Sequence, residues 1–185
     1  MKAATPSFDP EQSGTIHLRL RELAQLFNSM DPSPFLDRDL DRDAEEFIVG
    51  WAREFPPQHE LKLIISLTTP PTPERATETQ DAIRRYFTER ANSKRRDFRQ
   101  LMKRGRTSLV IGLLFLAGCL TIGNLFDELG VSNVTGILKE SFVIVGWVAM
   151  WRPLEIYLYD WWPLRAEWQR LERLSRMQVQ LVAQA

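Results

Sequence analysis

The run from Thr107 to Phe126, TSLVIGLLFLAGCLTIGNLF, contains no charged residue. At a helical rise of about 1.5 Å per residue it reaches roughly 30 Å, the thickness of a bilayer's hydrocarbon core. It predicts a transmembrane helix over 107–126. With that part of a 185-residue chain committed to lipid, only one small soluble domain can be built, from roughly the first hundred residues.

What precedes the run sets its orientation. Residues 1–83 carry 8 Lys/Arg against 15 Asp/Glu, residues 84–106 carry 10 against 2, and residues 107–185 carry 6 against 7, so the net charge of zero hides a strong segregation. The basic segment abuts the apolar run, where the positive-inside rule places it on the cytoplasmic side and gives it a simpler role than nucleic-acid binding. Anionic lipid headgroups are the partner expected for Lys94, Arg95, Arg96, Arg99, Lys103, Arg104 and Arg106, and no nucleic acid is expected. The first residues, MKAATPSFDPEQSG, lack the apolar centre of a signal peptide, which keeps the soluble domain in the cytoplasm.

Residues 1–13 read as a flexible lead and 14–90 as the soluble domain. Ile16, Leu18 and Leu20 alternate with His17, Arg19 and Arg21, the period of a strand with one buried face. Leu23, Leu26 and Phe27 suggest a short helix over Arg21–Met30, broken by Asp31-Pro32-Ser33-Pro34-Phe35. Ala44, Phe47, Ile48, Trp51, Ala52 and Phe55 form the apolar stripe of an amphipathic helix ended by Pro56-Pro57. Leu61–Thr69 is a second strand, with Leu61, Leu63, Ile65 and Leu67 on one face. From Glu74 there is no Gly or Pro before Gly105, so one long helix is expected to leave the domain, pass through the basic juxtamembrane stretch 91–106 and enter the membrane. That would couple domain to membrane rigidly, with Gly105 as its hinge. Two strands make a marginal sheet. Either a further strand is hidden or copies assemble, and the reading adopted is assembly.

Residues 127–136 read as a polar outer turn. Residues 137–158 hold a second hydrophobic region whose uncharged core, Ser141–Trp151, is too short to span alone. It spans if Lys139 and Glu140 lie at the outer interface and Arg152 and Glu155 at the inner one; otherwise it is re-entrant or surface-lying. Trp147, Trp151, Tyr157, Tyr159, Trp161 and Trp162 suit an interfacial aromatic belt. Over 159–185 the aromatic segment leads into a terminal amphipathic helix carrying Trp168, Leu171, Leu174, Met177 and Leu181. That helix could lie on the inner leaflet, pair with a second subunit, or pack on its own protein.

Candidate sites are few. The alternation Asp37, Asp39, Asp41, Asp43 suggests a hard-cation loop, but from Asp37 the EF-hand glycine and glutamate positions hold Arg42 and Ile48, and from Asp39 they hold Ala44 and Gly50. Helix capping explains these acids better, with Asp43 and Glu46 placed as a capping box. His17 and His59 have no ligand neighbours, Cys119 is alone mid-span, and neither a nucleophile elbow nor a Gly-rich loop occurs. No catalytic residue, metal site or cofactor is expected, and the chain is not read as an enzyme. Arg152 and Glu155 are candidates for a membrane polar site, lining a pore, against the plainer reading of an interfacial ion pair. Gly112, Ala117, Gly118 and Gly123 would let another helix approach closely.

The pattern Pro32-Ser33-Pro34-Phe35, Arg38-Asp39-Leu40-Asp41 and Ala44-Glu45-Glu46 resembles the N-terminal pattern of uncharacterised bacterial inner-membrane proteins. The resemblance covers about the first seventy residues, brings no site or activity, and implies a bacterial cytoplasmic (inner) membrane location. The fold class expected is an α/β soluble domain, a small β-α-α-β-α unit, plus an α-helical two-span membrane hairpin and a C-terminal amphipathic helix, with both termini cytoplasmic. The function expected is an oligomeric membrane-anchored scaffold or assembly protein. The alternative is a homo-oligomeric pore or ion channel.

Overall fold

A computed structural model describes residues 13–35, 38–69, 71–128 and 132–184. Apolar side chains at every second position build three strands, β1 (Ser13–Leu20), β2 (Glu60–Leu67) and β3 (Gln178–Ala183). They form a parallel sheet in the order β1-β2-β3, with Ile16 beside Leu63, Leu18 beside Ile65, and those two beside Val179 and Leu181. This places Ile16, Leu18, Leu61, Leu63, Ile65, Leu67 and Val179 on one buried face, while His17, Arg19, Gln178, Gln180 and Val182 stay exposed on the other.

The helices follow from the sequence signals already described. A 3-10 turn, Leu23–Leu26, replaces the longer helix expected over Arg21–Met30. Its chain is taken up instead by a short antiparallel bridge, Phe27 to Leu40, in which the Asn28 amide donates to the Asp39 carbonyl at 2.9 Å. Helix α1 (Arg42–Glu54) buries Ala44, Ile48 and Ala52 and stops before Pro56. Helix α2 (Pro73–Glu128) begins on Pro73, whose missing N–H costs nothing at a first helical position, and buries Thr79, Ala82, Ile83, Phe87 and Ala91. Helix α3 (Ser132–Glu155), a π-helical turn (Ile156–Asp160) and helix α4 (Trp161–Ser175) follow in one run.

Two compact units result: residues Met1–Lys94 together with Glu167–Ala185, and residues Arg95–Ala166. The first, the sheet unit, is therefore discontinuous in sequence. Its core joins β1, β2, α1 and the start of α2 to Leu171, Leu174, Met177 and Val179 from the chain's far end. The second, the helical unit, is inserted between β2 and β3.

Several expectations change. The β-α-α-β-α domain over 14–90 lacked its last strand, and the hidden strand is β3. The terminal helix stops at Ser175, so Leu181 belongs to a strand. The ground for assembly, a two-stranded sheet, is thereby removed. Helix α2 passes Gly105 unbroken. Helices α2 and α3 leave only 129–131 of the expected 127–136 turn outside them, and those residues, like the lead 1–12 and Leu36 and Asp37, lie outside the described residues.

Candidate functional site

The helical unit is packed through small residues. A Cβ on Gly112 would lie 3.0 Å from Met150 Sδ and 3.3 Å from the Ala149 carbonyl oxygen; one on Gly146 would lie 2.7 Å from Leu116 Cδ1 and 3.3 Å from Cys119 Cβ. Gly123 abuts Lys139, and Gly105 abuts Ile156 and Tyr157. Two antiparallel helices thus touch where one of them has almost no side chain, which is how helix backbones approach without a large apolar core between them. Gly105, read as a hinge, is a packing position. Of the small residues singled out from sequence, Gly112 and Gly123 lie on this contact. Ala117 and Gly118 are exposed, and nothing lies within 4 Å of a Cβ built on Gly118. The missed residues, Gly105 and Gly146, had a signal: Gly105, Gly112 and Cys119 recur at a seven-residue spacing, the period of a helix-packing seam.

Most of the large side chains point the other way. Ile111, Leu114, Ile144, Trp147, Val148, Trp151 and Tyr159 are all more than half exposed. A groove of about 510 Å³ beside the helix contact is lined almost wholly by apolar groups, among them Leu114, Phe115, Cys119, Ile122 and Phe142. Both α2 and the run from α3 into α4 are long and apolar enough to cross a membrane.

Arg152 Nη1 donates to Glu155 Oε2 at 2.7 Å and lies 3.8 Å from Asp160 Oδ2. Because Gly112 meets Ala149 and Pro153 while Gly105 meets Ile156 and Tyr157, Arg152 is level with the stretch of α2 between those two glycines, the basic end of the apolar run. Pro153 and the π-helical turn interrupt the regular ladder here and bring Asp160 within reach of Arg152. Arg95, Arg96, Arg99, Lys103, Arg104 and Arg106 are exposed along α2. Lys103 and Arg104, with Gln100, Thr107, Ser108 and Ile111, line a shallow depression with both polar and apolar walls. Lys94 departs from this group, pairing with Glu167 of α4 at 3.0 Å within the sheet unit.

The sheet unit's polar contacts are joints. Glu45 accepts from Arg90 Nε and Nη2 at 3.0 and 2.7 Å and from the Tyr86 hydroxyl at 2.7 Å, tying α1 to α2. Burial, helped by that carboxylate, raises the Tyr86 phenol well above its usual range. Arg173 Nη2 donates to the Pro56 and His59 carbonyls at 2.8 Å each, tying α4 to the loop before β2. Helix α1 is capped by Asp41, which accepts from the Asp43 amide at 3.0 Å. Asp43 and Glu46 therefore do not form the capping box: Asp43 lies in the first turn, and Glu46 pairs with Arg42 at 2.9 Å. Among the described residues no group of three His, Cys, Asp or Glu is placed to hold a metal ion. No known protein family, curated protein or solved structure matches the chain.

Proposed function

We propose that this chain is a membrane-anchored scaffold or assembly protein of a bacterial cytoplasmic membrane. Its helical unit forms a two-span hairpin, and its sheet unit makes protein contacts on the cytoplasmic side as part of a homo-oligomer. The observation that carries the reading is the connectivity of the sheet. Strands β2 and β3 are parallel neighbours although residues 95–166 lie between them in sequence, so a chain that leaves the sheet unit for the bilayer must come back to the same side. An even number of crossings follows, which favours the hairpin, and the basic stretch of α2 fits anionic headgroups on the sheet unit's side. The outward large side chains and inward glycines of the helical unit suit lipid as solvent.

The pore alternative has less support. Arg152 is met within its own chain by Glu155 and Asp160 and sits at the basic end of the apolar run, where an arginine reaches phosphates.

Impermeant-maleimide labelling of single cysteines in a Cys119→Ala background tests the hairpin. Ser132→Cys should react in intact cells, and Met30→Cys, at a position 90% exposed in the sheet unit, only after the cells are opened. Ser132→Cys reacting only from the cytoplasm would exclude two spans.

A further inference from the structure

The sheet unit ends on a strand that no further strand follows among the described residues. Among the described residues β3 pairs with β2 alone, as does β1 on the other side. The sequence of β3, QVQLVA, has no charge, proline or glycine, whereas natural sheet edges are ordinarily blunted by such residues or covered. Val182 is 39% exposed, and Leu181, which continues the core row Leu18–Ile65, is only partly covered.

The backbone of β3 can be oriented. The Gln184 amide donates to the Leu67 carbonyl at 2.8 Å. In a parallel ladder a residue turns its N–H and C=O to the same side and its neighbours turn theirs to the other. Val179, Leu181 and Ala183 therefore direct their backbone groups away from β2. By the same alternation Thr15, His17 and Arg19 of β1 direct theirs to the opposite outer edge.

We propose that the occupant of the β3 edge is β1 of a second copy, added in parallel, so that copies join head to tail in one continuous sheet. The proposal rests on the oligomeric reading above and gives it a surface. The apolar rows match: Ile16 and Leu18 of the incoming strand lie on the same sheet face as Val179 and Leu181. Charge does not oppose it, since Arg19 meets a strand with no cation. The contact is heterologous, so it propagates into a ring or a row instead of stopping at a dimer.

Cysteine cross-linking of the full-length protein in detergent, in a Cys119→Ala background, tests this. Val182→Cys is combined with His17→Cys or with Arg19→Cys, the two registers that keep the apolar rows together. One combination should give a ladder of covalent oligomers under mild oxidation, and no single variant should. Leu181→Pro, which deletes an outward amide and leaves the bonds to β2 in place, should reduce the ladder at least tenfold. Dimers from Val182→Cys alone would overturn the parallel arrangement. If light scattering gives an oligomer but neither combination cross-links and Leu181→Pro keeps its mass, the edge is wrong and the oligomeric reading stands. A monomer at micromolar concentration would remove both.

Discussion

The two units of this chain bury opposite kinds of residue. In the sheet unit Ile48, Leu63, Ile65, Leu67, Ile83, Phe87 and Leu174 are fully covered. In the helical unit the covered positions among the described residues are Gly105, Gly112, Cys119, Gly123, Gly146, Met150, Pro153 and Ile156, half of them glycine, and most of the large apolar side chains lie outside. The first pattern is what water imposes, because removing apolar area from it is the main driving force for folding. In the proposed hairpin the second has no such force behind it and gains its cohesion from close contact of backbones. Residue size, at similar apolarity, thus separates the two units, and the second pattern is the one the proposed hairpin requires.

Truncation should separate them most strongly. Phe87→Ala empties the centre of the sheet unit's core and should cost about 3–5 kcal/mol, read as a fall in the unfolding midpoint of the detergent-solubilised protein. Leu114→Ala, at a position 70% exposed, should change stability by less than about 0.5 kcal/mol. Equal losses for the two would abolish the distinction. Enlargement should act in the reverse sense. Gly146→Leu must displace Leu116 and Cys119, and overpacking of this kind costs about 1–3 kcal/mol. Gly118→Leu, with open space beside it, should cost little. Titration with a denaturing detergent, following loss of the helical pair, measures both. A Gly146→Leu protein as resistant as the parent would mean that the helices are not held at these glycines.

The legible parts of the sequence were those whose periodicity and burial share a local cause. Strand β2 reads directly from Leu61, Leu63, Ile65 and Leu67, and α1 from its apolar stripe between prolines. The apolar run of α2 needed no tertiary information. Strand β3 escaped because Trp168, Leu171, Leu174 and Met177 set a helical spacing that Leu181 extends, with no Gly or Pro to mark the end at Ser175. Its own signal, Val179 and Leu181 between glutamines, is two residues long, and what fixes it is β2, far away in sequence. Gly105 was misread for a related reason: helix propensity is a local property, while the use of this glycine depends on Ile156 in another helix. At Asp41 and Asp43 two acids compete for one cap, and the bridge through Leu40 decides for Asp41.

A smaller test uses pH, since a carboxylate organises the loop before α1 in the sheet unit, while the helix contact at Gly112 and Gly146 is made by close packing without a carboxylate. The Asp31 carboxylate accepts the Asp39 amide at 2.7 Å and the Ser33 amide at 2.9 Å, closing the loop that precedes α1. The Asp39 hydrogen bond foremost, then those from Ser33, lower its pKa from the ordinary 3.8 to about 2. The folded loop therefore favours the charged form. Its stabilising contribution is complete above the unfolded value and is lost as pH falls from about 4 to about 2. Following the Ser33 and Asp39 amide resonances through an acid titration should give a midpoint near 2, with the Gly112 and Gly146 amide resonances, at the helix contact, unmoved over the same range. Asp31→Asn should remove that transition and loosen the loop slightly at neutral pH. A midpoint at the ordinary aspartate value would mean that the two amides do not hold the carboxylate. Acid shifts of equal size at Gly112 and Gly146 would mean that polar contacts organise the helical pair too, and glycine packing could no longer be its main source of cohesion.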